Sequence, residues 1–279
     1  MTTQLSITTM HRSTEPQPTL RLEYAPHGLM GLLTPQANTT AEAEFGLLCP
    51  RGVGMVTARL TSARPGMVDR LLEYIRGLDD VLDRFGNAPI GAYAFACTGA
   101  SYYVGVLAED ALISRVEASR GVRLVTAACA VRDALVALNA RRIGLVSPYS
   151  SDMTEASRGY WEARGFEVVR VAALIQPEAA FHPIYTMSGA AAEEALASLD
   201  TPDTASSGLD AVVMLGTGLP SLGSILARPR IGQVPVLSCM LALAWRTSLI
   251  LHGRDPDAAS LLDWIGGGDW GPRYRERMG

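Results

Sequence analysis

The sequence predicts an α/β protein of two pseudo-symmetric lobes, each a short parallel sheet flanked by helices, with the active site in the cleft between them. Three observations carry that reading. Apolar runs of strand length alternate with helical patterns along nearly the whole chain, and such alternation builds parallel sheets joined by right-handed crossovers. Strand-end motifs of the first half recur in the second: Leu33-Thr34-Pro35 as Val146-Ser147-Pro148, Cys97-Thr98-Gly99 as Gly216-Thr217-Gly218, and Thr126-Ala127-Ala128-Cys129 as Leu237-Ser238-Cys239. The offsets, 113, 119 and 110 residues, are nearly constant, as a duplicated lobe requires. The expected division is an N-terminal arm over 1–26, a first lobe of 27–128 completed by 239–279, and a second lobe of 129–238.

In chain order, residues 1–24 are rich in Thr, Ser, Gln and Pro and read as a loosely packed arm. Residues 28–33 form a first strand. The loop Thr34-Pro35-Gln36-Ala37-Asn38-Thr39-Thr40 runs from it into a helix whose early acids, Glu42 and Glu44, suit the positive helix end. Residues 53–60 alternate apolar and small side chains as a second strand. Over 67–85, Met67, Leu71, Leu72, Ile75, Leu78, Leu82 and Phe85 recur at helical spacing, with a charged face between them. A buried third strand, 90–96, ends at Cys97, and a helix is expected over 102–118. The fourth strand, 122–126, leads into a helix that runs through Leu138.

The second half repeats the scheme. A strand at 142–146 opens onto Ser147-Pro148-Tyr149-Ser150-Ser151-Asp152, followed by an amphipathic helix, 153–164, and a strand, 166–173. An alanine-rich helix at 190–199 precedes a surface linker, 201–208, made of turn formers. Then come a strand at 211–215, a turn at Gly216, a strand at 234–238 and a final helix from about Cys239 to His252. Residues 255–279 read as a peripheral tail hinged at Gly266-Gly267-Gly268.

Composition removes several function classes. A net charge of −4 and a pI near 5.6 give no reason to expect nucleic acid or an anionic membrane surface as a partner. No apolar stretch is long enough to span a bilayer, and residues 1–24 lack the apolar core of a signal peptide, so a cytoplasmic address is the expectation. All 24 basic residues are arginine, and the absence of lysine excludes a pyridoxal-phosphate Schiff base, a lysine aldolase and a Walker A loop. The four cysteines are widely spaced and the four histidines scattered, which argues against a disulfide framework and against a zinc site. No metal or cofactor is expected. A homo-oligomer is compatible with everything in the sequence.

What chemistry remains gathers at Ala94-Phe95-Ala96-Cys97-Thr98-Gly99-Ala100. Strand-to-helix turns are where open α/β sheets bind ligands, and Gly99 lets backbone N–H groups face a carboxylate there. The same field favours a thiolate, so Cys97 is expected partly exposed in the cleft. Cys49, Cys129 and Cys239 read as packed thiols, although Cys239 also sits at a strand end. The Gly216-x-Gly218 pair is no dinucleotide fingerprint, because its third glycine position is Ser221.

Together, the run from Pro35 to Glu44, the turn Ala96-Cys97-Thr98-Gly99, the loop Ser147-Pro148-Tyr149 and the paired lobes resemble the aspartate/glutamate racemase superfamily, in its branch of maleate cis-trans isomerases and arylmalonate decarboxylases. The resemblance spans about 27–252. It implies a cofactor-free enzyme that holds a small carboxylate or dicarboxylate between its lobes, with Cys97 as the nucleophile. It also implies substrate contacts from Pro35, Asn38, Thr98, Gly99, Tyr149, Thr154, Gly216, Thr217 and Gly218. The chain departs from the pattern where the isomerases' second cysteine falls at Gly216 and their second-lobe asparagine at Thr154. The leading expectation is an isomerase like maleate isomerase; the alternatives are a decarboxylase with Cys97 as proton donor and a carboxylate-binding protein without catalysis.

Overall fold

In the computed structural model, residues 22–174, 183–201 and 208–279 are described. Most of the expected arm, most of the 201–208 linker, and His11 and His182 lie outside them. The first sheet is built from β1 (Gly28–Pro35), β2 (Val53–Leu60), β3 (Ile90–Phe95) and β4 (Arg123–Thr126). Its spatial order is β2-β1-β3-β4, with every neighbour pair parallel. The second sheet contains β5 (Arg142–Ser147), β6 (Glu167–Ala173), β7 (Ala211–Met214) and β9 (Val234–Ser238) in the order β6-β5-β7-β9. Second strand, first, third, fourth: the order is the same in both sheets, as a duplication produces. The second sheet adds only a short antiparallel edge strand, β8 (Arg230–Ile231).

Parallel sheets need cover on both faces, and the central strands show it. Five of the six residues of β3 and all of β7 are buried. The helix Cys239–Leu251, apolar nearly all round, leaves β9 and packs back on β3, β4 and β1 of the first sheet. Ser238 caps it, accepting from Leu241 N at 3.2 Å, and Arg246 on its flank donates to Asp133 at 2.7 Å.

The structure moves three boundaries. The expected helix over 102–118 is two helices, α4 (Thr98–Val104) and α5 (Val106–Arg120), broken at Gly105, whose φ of +80° no other residue adopts cheaply. Helix therefore begins directly after Cys97, four residues earlier than the pattern implies. The 67–85 helix is likewise interrupted, as α2 (Met67–Arg76) and α3 (Leu78–Asp83). The 255–279 segment is no tail: it forms helices Ala258–Ile265 and Trp270–Met278, with Leu261, Ile265 and Trp270 in the core. Arg273 of the last helix donates to the Leu47 and Cys49 carbonyls at 2.6 and 3.0 Å, tying it to the first lobe.

The seam between the halves holds a buried ion pair. Glu109 on α5 accepts from Thr126 Oγ1 at 2.7 Å, from Arg164 Nη2 at 2.8 Å and from the Tyr160 hydroxyl. Arg164 also grips Asp110 through two nitrogens at 2.8 Å. Glu109, Asp110 and Cys129 form the one group with metal-ligand spacing among the described residues, and its carboxylates are already engaged by this guanidinium.

Candidate active site

Parallel strands all point their C-terminal ends one way, and here the ends of β1, β3, β5 and β7 meet around a cavity of about 460 Å³ between the lobes. That lies within the roughly 300–1,000 Å³ of small-molecule sites. From the first lobe, Pro35, Cys97, Thr98 and Gly99 line it; from the second come Tyr149, Thr217 and Gly218. Seven of the ten residues singled out in the sequence thus share one wall.

Cys97 is the N-cap of α4, without a side-chain capping bond, and the Ala100 N–H near its sulfur favours the thiolate. It reaches the cavity but is only 4% exposed, not partly open as expected. Burial pushes its thiol up to about 12, and the Ala100 N–H offsets only part of this. The expected standing thiolate is therefore a neutral thiol in the free protein: one N–H and a short helix do not balance the loss of water, and among the described residues no cation offsets it. Tyr149 is also buried, and burial lifts its phenol well above the usual range, so its O–H is a donor. Its oxygen lies 3.1 Å from Thr98 Oγ1.

Three expected contacts do not reach the wall. Asn38 Oδ1 accepts from Thr40 N and Ala41 N, both at 2.9 Å, and Nδ2 donates to Thr217 O at 3.2 Å. That leaves at most one N–H for a substrate. Thr154 stands behind Tyr149, its hydroxyl 2.6 Å from Ser147 Oγ. Gly216, where the second thiol is missing, has a φ of +89°, and a Cβ there would come within 2.6 Å of Ile184 Cδ1, 3.0 Å of Pro148 Cγ and 3.3 Å of the Tyr149 hydroxyl. The place of the absent side chain is occupied.

Cys239 is fully buried beside the Gly216 backbone and the Thr98 hydroxyl, with its thiol pushed up to about 12, and it does not line the cavity. Cys49 and Cys129 do not line it either and are raised by burial to the same level.

Sequence reading missed half the wall. Met67, Arg70, Leu71 and Tyr74 of α2 face the cavity, as do Ile184 and Tyr185 of the single-turn helix Pro183–Thr186. The α2 signal was present: Arg70 and Tyr74 recur in phase with Met67 and Leu71, at positions that on a core-facing helix would be apolar. Arg70 is the cation of the wall, and the Tyr74 phenol, raised to about 12 by burial and then by Cys97, senses it. Ile184 and Tyr185 belong to an irregular connection with no periodicity to read.

The model of the arylmalonate decarboxylase family matches residues 45–262. A maleate isomerase of Geobacillus stearothermophilus is 26% identical over 257 residues, covering 85% of this chain and 98% of that protein. Among solved structures, a maleate cis-trans isomerase of Nocardia farcinica superposes with a TM-score of 0.69 at 25% identity, covering 81% of this chain and 93% of its own. That protein is a mutant with one cysteine replaced by serine, and it carries a covalently bound succinylcysteine intermediate. An arylmalonate decarboxylase superposes with a TM-score of 0.66 at 19% identity, covering 81% and 93%.

Proposed function

This chain belongs to the arylmalonate decarboxylase family, and we propose that it is a cofactor-independent isomerase of a small unsaturated dicarboxylate, of which maleate is the type, with Cys97 as nucleophile. The observation that carries the reading is Cys97 at the strand end on the cavity wall that also carries the Thr98–Tyr149 hydroxyl pair. The succinylcysteine intermediate of the Nocardia relative, in a mutant with one cysteine replaced, supports covalent addition of a cysteine to the substrate.

In this reading Cys97 Sγ bonds to one alkene carbon, and the thiol proton ends on the neighbouring carbon by way of the Tyr149 and Thr98 hydroxyls. The C–C bond, now single, rotates. Elimination then gives up the other hydrogen of that carbon, which the rotation has brought to the same hydroxyls, breaks the C–S bond and restores the thiol, so the trans product leaves and the enzyme is unchanged. Arg70 and the first-turn N–H groups of Thr98 and Gly99 hold the carboxylates, and Thr217 and Gly218 close the second-lobe side. A cytoplasmic location is part of the same proposal.

A second reading, decarboxylation of a malonate with Cys97 protonating the enediolate, rests on the family match and on the apolar side of the cavity at Met67, Leu71 and Met153. Incubation with maleate and with an arylmalonate, followed by proton NMR in D2O, separates the two. Fumarate supports the isomerase, a deuterated monoacid replaces it with the decarboxylase, and no turnover with protection of Cys97 from alkylation leaves only a binding protein.

A further inference from the structure

Glu44 is a buried carboxyl that the chemistry above does not use. It lies on α1 (Ala41–Leu48) of the first lobe, 6% exposed, yet its partners belong to the second. Oε1 accepts from Ser221 N at 2.5 Å and Leu222 N at 3.0 Å, and Oε2 lies 3.1 Å from Ser221 Oγ. Two neighbours hold the same loop: Thr40 Oγ1 donates to Gly218 O at 2.8 Å and Asn38 Nδ2 to Thr217 O. The loop in turn grips the strand end that carries the thiol, Thr217 Oγ1 donating to Ala96 O at 2.7 Å.

We propose that Glu44 is a positioning residue: its ionised carboxylate draws the loop from Gly216 to Leu222 against the first lobe and sets the Thr217–Gly218 wall opposite Cys97. The inference rests on the function proposed above and adds a control to that site. A carboxylate accepts all three donors at once. A neutral carboxyl spends one oxygen holding its own proton, and the serine chain must reverse, because Ser221 Oγ also lies 2.8 Å from Ser238 Oγ and has one proton to give.

The group titrates in a useful range, with burial raising it to about 7 against the pull of its three donors. Few charges compete with it. Tyr274, on the last helix, is the ionisable group that feels its charge. Arg273 of that helix is committed to the Leu47 and Cys49 carbonyls, Glu42 of α1 pairs with Arg59, and Arg246 of the packed helix Cys239–Leu251 pairs with Asp133.

The test is the pH dependence of maleate turnover in the full chain for wild type, Glu44→Gln and Thr40→Val, with iodoacetamide alkylation of Cys97 measured in parallel. Wild-type KM should fall as pH rises through 7. Glu44→Gln should stay at the low-pH KM throughout, roughly fivefold above wild type at alkaline pH with kcat within about twofold. Thr40→Val should raise KM at every pH and keep the transition. A purely structural role would lower the melting temperature of both variants and leave the transition in place, and a Glu44→Gln profile that tracks wild type overturns the proposal. If wild type does not turn over maleate, the functional reading fails on its own; a step in Cys97 alkylation near pH 7 that Glu44→Gln abolishes still supports the clamp, and its persistence in Glu44→Gln removes it.

Discussion

The hydroxyls of Thr98 and Tyr149, one from each lobe, stand 3.1 Å apart on the cavity wall. Neither side chain can be shortened without leaving the other's oxygen short of a partner in a buried site. Tyr149→Phe should therefore lower kcat by roughly 10²-fold, in the range of a lost general acid, with a modest fall in melting temperature. Thr98→Val should cost less, and the double variant should be no worse than Tyr149→Phe alone, which steady-state kinetics on all three will show.

Cys97→Ala should abolish turnover, with a loss of roughly 10³-fold or more, because no other thiol lines the cavity. Cys239→Ala should keep most of the rate. Mass spectrometry after a maleate quench should find the adduct on the peptide containing Cys97; an adduct on Cys239 would invert the assignment.

A thiol held near 12 is almost entirely protonated at neutral pH, with a thiolate fraction of about 10⁻⁵. Alkylation of Cys97 in the free protein should therefore be slow and should keep climbing up to about pH 9, about tenfold per pH unit apart from the Glu44 step near pH 7. A plateau below pH 9 in stopped-flow labelling would mean that the thiolate is stabilised by groups these contacts do not include.

Restoring a thiol at Gly216 should not create a second base. Gly216→Cys forces a side chain onto a φ of +89° and into Ile184, so it should destabilise by roughly 2–4 kcal/mol. Calorimetry should show the loss, and pairing the change with Ile184→Ala should recover part of it.

Glu44 also fixes the pH dependence of stability. Its folded value, about 7, is above the ordinary 4.5, so the folded state binds the proton more tightly. The stability this gives is fully present below about pH 4.5 and is lost as pH rises through 7, on the order of 3 kcal/mol in all. Glu44→Gln should flatten that decline in urea titrations across the window.

The fold was legible because the positions of the strands along the chain follow from local signals. Apolar runs such as 90–96 and 211–215, ended by small or polar turns, announce buried parallel strands, and the repeated motifs announce the second lobe, whereas the order of strands within each sheet rests on non-local pairing. The errors lie where a single glycine overrides a continuing pattern, as at Gly105, or where a polar-looking segment buries tryptophan, as at Trp270. The site was legible at strand ends and opaque elsewhere. Asn38 has the chemistry of a carboxylate ligand, but tertiary contacts spend it on the Thr217 carbonyl, which no sequence pattern reports.

Because the helix Cys239–Leu251 closes over the first sheet, that sheet cannot finish its core when its own strands have been made. On the ribosome β1 to β4 must wait, one apolar face uncovered, while the whole second lobe is synthesised. Half-chains cut between the lobes should then aggregate rather than fold, and refolding from denaturant should be slow and set by the arrival of the last segment.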